Sequence, residues 1–158
     1  MIKIIFKILV IFGLVVVELA LVNKLAFYSA IPNIIIIIAI IFTLRGKFDE
    51  AVLFALIGGF LLDLASPLRF GYYVLFGLLI ISLIHFFVLK FTPAPNLTMM
   101  FIIFCLSFIL YDLLLFAAIK HLPAWQIVPG ALIQGIWGLI INKIMIGLIK
   151  PKEEIEVV

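Results

Sequence analysis

Few residues in this sequence have the chemistry to do more than fill space. Three carboxylates, Glu18, Asp63 and Asp112, stand inside long apolar runs, with the amides of Asn33 and Gln134 as their polar companions. Ionisable groups within a bilayer are costly and turn toward protein or water. Three uses are open to carboxylates placed in this way. They can bond to one another and pin helices together, each bond adding about 0.6–2 kcal/mol. They can line a polar pocket for a small ligand or a partner's helix. They can also pass protons, because no Lys, Arg or His stands beside them inside the runs.

The patterns that build a catalytic centre are missing. There is no H-E-x-x-H, no G-x-S-x-G, no P-loop and no Cys-x-x-Cys. Ser66, Ser82 and Ser107 lack a credible base nearby. His85 and His121 fall on opposite sides of the topology derived below and do not make a metal pair. Cys105 is the only cysteine, so neither a disulfide framework nor a cysteine-based metal site is expected, and it reads as a small packing residue. We expect no enzyme activity, no cofactor and no metal.

The elements that must position these groups follow from composition. Hydrophobic residues make up 68% of the 158 positions and charged residues 12%, the latter about half of what soluble domains carry. A soluble fold of this size cannot hide so much apolar surface, which points to an integral membrane protein. A membrane helix needs ~20 mostly apolar residues, and six would use nearly the whole chain as a single transmembrane domain, 1–158. Charges, prolines and glycines delimit runs from Ile4 to Asn23, Pro32 to Leu44, Ala51 to Ala65, Gly71 to Leu89, Leu97 to Ile119 and Ile127 to Ile149. The second and third are short and are expected to be thin, shielded by neighbours or re-entrant. The basic, apolar opening resembles a secretory signal, with Tyr28-Ser29-Ala30 as a weak cleavage site, but further runs follow at once and favour an uncleaved first helix. Asn96-Leu97-Thr98 reads as a helix start, and residues 150–158 as a short charged tail.

The eleven basic residues are scattered, which argues for topology signals and against a nucleic-acid patch. With six spans, Lys3, Lys7, Arg45, Lys47, Lys90, Lys143, Lys150 and Lys152 share one side, against Lys24, Arg69 and Lys120 on the other. Positive charge marks the cytoplasmic side, so both termini are expected there and Trp125 at the outer interface. Glu18, Asn33, Asp63, Asp112 and Gln134 then converge on the outer half of the bundle.

The third run carries Ala51, Ala55, Gly59 and Asp63 at four-residue spacing, a stripe of small side chains ending in a carboxylate. Such a stripe lets another backbone approach closely. Ala131, Gln134, Gly135, Gly138 and Asn142 form a similar face in the sixth run. Packing within the chain is the first reading of both faces, and docking of a separate subunit the second. Beyond Asp63, Ser66-Pro67 and Phe70-Gly71 mark a turn, and Arg69 is placed to fold back on the carboxylate.

Ile31-Pro32-Asn33 opening a run of isoleucines, Leu44-Arg45-Gly46 closing it, Gly58-Gly59-Phe60-Leu61-Leu62-Asp63-Leu64, Ser66-Pro67 and Phe70-Gly71 together resemble the core pattern of the bacterial rod shape-determining protein family MreD. The specific signal covers residues 31–75, and chain length and helix number fit along all 158. The resemblance implies a non-enzymatic scaffold of the inner (cytoplasmic) membrane. It would bind MreC directly and help couple MreB to RodA and a penicillin-binding transpeptidase in lateral peptidoglycan synthesis, with self-association also open. Asn33, Gly59, Asp63, Pro67 and Gly71 match the family motif, with Ala55 on the same stripe.

The family is similar in fold to the six-helix substrate-binding subunits of energy-coupling-factor vitamin transporters, which makes such a subunit the rival expectation. Those subunits carry an Ala-x-x-x-Ala docking motif on the first helix. Here Ala26/Ala30 and Ala51/Ala55 lie elsewhere.

Overall fold

The apolar runs fold as helices. The computed structural model describes residues 2–22, 33–66, 70–91, 96–119 and 127–148, and all regular structure among them is helical. In chain order these are α1 (Ile2–Val22), α2 (Ile34–Leu44), α3 (Phe48–Leu53), α4 (Gly59–Ala65), α5 (Tyr72–Phe91), α6 (Leu97–Ile119) and α7 (Ile127–Leu148). Phe54–Gly58 is a π-helical turn between α3 and α4. Leu53, Phe54, Gly58 and Gly59 keep right-handed helical dihedrals, so α3, the π turn and α4 form one rod from Phe48 to Ala65. Stretches of α6 and α7, Leu97–Ala117 and Ile127–Ile146, are long and apolar enough to cross a membrane.

The third rod starts at Phe48, three residues before the apolar run begins. Asp49 and Glu50 occupy its first turn, where negative charge meets the positive end of the helix dipole. Residues 1, 23–32, 67–69, 92–95, 120–126 and 149–158 lie outside the described set. The expected pairing of Arg69 with Asp63, the positions of Pro67, His121 and Trp125, and the charged tail fall there.

Helix α2 is the axis of the molecule. It touches α1, α3, the π turn, α5 and α7, and Ile35, Ile37, Ala39, Ile40 and Ile41 are wholly buried. A helix buried on every side is apolar on every side, which is why the sequence there is a run of isoleucines. Its eleven residues give a length of only about 16 Å. The C-terminal end closes through Gly46, whose φ of 70° suits glycine. The Gly46 N–H bonds the Thr43 carbonyl at 3.0 Å and the Lys47 N–H that of Phe42 at 2.9 Å, the paired bonds of a Schellman motif. Beside them the Arg45 guanidinium donates to Asn142 Oδ1 of α7 at 3.0 Å.

Around this axis the other helices pack to different depths. Helix α7 brings Gly135 and Gly138 against α6, where a Cβ on Gly138 would come within 2.8 Å of the Phe104 ring. Phe104 and Phe108 fill the space thus left and are fully buried. Helix α1 is peripheral: Ile11, Val15 and Glu18 face inward, whereas Ile5, Phe6, Leu9 and Phe12 are more than half exposed. An ion pair from Lys7 to Glu50 ties it to α3.

Candidate functional site: buried carboxylates at two helix N-termini

The first residues of a helix have backbone N–H groups with no partner in the helix itself, and where those groups are buried something else must accept from them. At α2 two residues do so. Asn33, the N-cap, accepts the Ile36 N–H on Oδ1 at 3.1 Å. Glu18 reaches across from α1 and accepts the Ile35 N–H at 3.2 Å, with the Ile34 N–H also against its carboxylate. Glu18 is 5% exposed and Asn33 7%, so little water reaches this end of the helix. The Asn33 amide then donates to the Tyr111 hydroxyl of α6 at 3.4 Å, linking three helices at one point.

At α5 the same problem has a second solution. Asp63, near the end of α4, accepts the Tyr73 N–H on one oxygen at 3.1 Å and the Val74 N–H on the other at 3.3 Å. A carboxylate engaged by two backbone N–H groups at a helix N-terminus combines charge-assisted bonds with a favourable dipole. This geometry requires α4 and α5 to come close, and Gly59 permits it: a Cβ there would lie 3.0 Å from both Cα and N of Val74. Gly71 starts α5 with φ 99°, a conformation that other residues seldom adopt. Its carbonyl accepts the Leu75 N–H at 2.9 Å.

The small-residue stripe is therefore turned inward. Ala51, Ala55, Gly59 and Asp63 are all buried, and Gly77 of α5 stands opposite Ala55. The adjacent Gly58 faces the other way, against Ile35 of α2, where a Cβ would meet the side chain at 2.4 Å. The π turn explains how four positions four residues apart share a face. In a plain α-helix each such step overshoots a turn by about 40°, and a π turn, closed five residues on, winds the other way relative to it.

The remaining polar residues behave differently. Gln134 is 5% exposed, and its Oε1 has no hydrogen-bond partner among the described residues. Asp112 is half-buried and makes no hydrogen bond among the described residues. Tyr111, its neighbour, is 3% exposed and has Glu18, Asp63, Tyr73 and Asp112 within electrostatic reach. Tyr111 and Gly77 were not singled out from sequence, because a tyrosine or glycine in an apolar run carries no pattern of its own. Asn142 bonds Arg45 and Met100, and His85 stacks on Phe48 with ring centroids 4.1 Å apart. Asn96 caps α6 by accepting the Met99 N–H at 2.9 Å. Among the described residues no three His, Cys, Asp or Glu side chains are grouped to hold a metal.

Comparison with protein-family models, with curated proteins and with solved structures gives no match.

Proposed function

We propose that this chain is a six-span inner-membrane protein that works as a non-enzymatic scaffold, binding MreC and helping to couple MreB to lateral wall synthesis in the manner of the MreD family. The observation that carries this reading is the use made of the residues behind the resemblance. Asn33 caps α2, Asp63 caps α5, Gly59 admits the α5 backbone, and Gly71 supplies the positive φ. The 31–75 pattern is thus a set of instructions for one helix arrangement, and a chain that carries the pattern carries the reason for it. Glu18 and Asp63 are engaged with backbone, which supports a structural task over proton transfer for these two.

The partner's place is then on the outside of the bundle, where α1 exposes a broad apolar face. Both termini lie in the cytoplasm on this reading.

Affinity purification of the tagged full chain in mild detergent, with mass spectrometry of co-purified proteins and small molecules, tests it. Recovery of MreC with RodA and a transpeptidase is the expected result. Recovery of a stoichiometric vitamin-like molecule with an ATPase module would instead place the chain among transporter subunits.

A further inference from the structure

Of the three carboxylates set within the apolar runs, two serve the fold. Glu18 and Asp63 accept backbone N–H groups, whereas Asp112 is half-buried and has neither a hydrogen bond nor an ion pair among the described residues. Tyr111 beside it turns to Asn33. The basic residues whose side chains are described, Lys7, Arg45, Lys47 and Lys143, lie toward the opposite end of the bundle.

Depth denies Asp112 an easy escape to water. Helix α6 has 23 residues, and on the six-span reading its central residue, Phe108, sits near the middle of the membrane. Asp112 is then about 6 Å outward of the middle, and about 9 Å short of the edge of a ~30 Å hydrocarbon core. An aspartate side chain is too short to cover that distance. In a helix it also leans toward the N-terminus, here away from the outer surface.

The place where Asp112 stands is open from the side. Cys105, seven residues earlier and so on the same face of α6, packs on α7, where a Cβ on Gly135 would meet its Sγ at 2.6 Å. Asp112 continues that seam outward by two turns. On α7, Val128 and Leu132 share the face of Gly135 by their spacing and are 57% and 47% exposed. The outer seam is thus an apolar surface with one carboxylate in it.

A hydrocarbon chain brings no donor to a carboxylate. A second copy across a twofold axis would set Asp112 against Asp112, and its described basic residues are at the wrong end. A helix of another protein with a cation at that depth answers the charge, because each group then removes the cost of burying the other. We propose that the outer half of the α6–α7 seam docks a membrane-spanning helix of a partner protein, an arginine or lysine of that helix pairing with Asp112. This contact is additional to the apolar face of α1 and rests on the six-span membrane reading.

The test uses the full chain in phosphatidylcholine vesicles with a donor fluorophore at its C-terminus, together with synthetic 23-residue leucine–alanine helices that carry an acceptor fluorophore. One peptide has an arginine four residues from its centre, and the others have leucine or glutamate there. Energy transfer from the arginine peptide is expected at about a tenth of the concentration that the leucine peptide needs, with the glutamate peptide weakest. Asp112→Leu should erase the preference and Asp112→Asn should reduce it, both with the parent's melting temperature. Equal transfer from the arginine and leucine peptides, or a preference that survives Asp112→Leu, overturns the site. A marked loss of melting temperature in both variants overturns it too, since Asp112 would then serve the fold. Extraction with alkaline carbonate separates the two levels: a chain that is released overturns the membrane reading and the site with it. A chain that stays in the membrane but shows no preference overturns the site alone.

Discussion

At the scale of single residues, Asp63 has the most to lose. Leucine in its place leaves the Tyr73 and Val74 N–H groups buried and unpaired, at about 1–3 kcal/mol each. Asparagine keeps one acceptor. Asp63→Leu should therefore lower the melting temperature of the detergent-purified protein well below that of Asp63→Asn and, on the proposed function, reduce MreC recovery with it; equal melting of the two would remove the capping role. Gly59→Leu should be as damaging, because its side chain has the α5 backbone in its way. Gly13→Leu is the control, since nothing lies within 4 Å of a Cβ there, and its melting should match the parent's. Asn33 and Asp63 were legible in the sequence because each stands at the edge of an apolar run beside a turn. The partner of Glu18 was not, because Ile35 is seventeen residues away and only the path of the connection between them decides that they meet.

At the scale of helices, the edges could be read from charge, proline and glycine, and α6 begins and ends at the residues that bound its apolar run. The π turn could not. It is a property of register, imposed where the rod must present Gly58 to α2 and Gly59 to α5 together, and no residue type encodes it alone. It makes a sharp prediction. Deleting the exposed Leu56 removes the extra residue of the turn and leaves a plain α-helix, in which Ala51 and Asp63 still lie within about 20° of one face. That variant should elute with the parent in size-exclusion chromatography, whereas an alanine inserted after Leu56 turns Ala51 about 100° away from Asp63 and should make the chain run as an aggregate. Loss of the α6 cap is a milder change at this scale: Asn96→Ala should cost about 1 kcal/mol, visible as a modest drop in melting temperature.

At the scale of the whole molecule, the described residues form six rods of unequal length, arranged so that the shortest is innermost. The sequence announced the short second run but not its place. Only the surrounding helices show that α2 is screened on all sides; on the proposed six-span reading it need not match the membrane's thickness itself. On the proposed six-span reading, reporter domains fused to either end should both register on the cytoplasmic side; opposite sides would mean an odd number of crossings. The central position of α2 also bears on how the protein is made. Its first turn is held by Glu18, which leaves the ribosome before it, but Arg45 at its far end waits for Asn142, 97 residues later. At ~5–20 residues per second that is a delay of about 5–20 s, during which a short helix at the centre of the finished molecule has its last polar contact unmade. The first and last helices thus close on the second like a clasp. A ribosome stalled before α7 emerges should leave a chain open to proteolysis at the α2–α3 turn, and release of the complete chain should end that exposure.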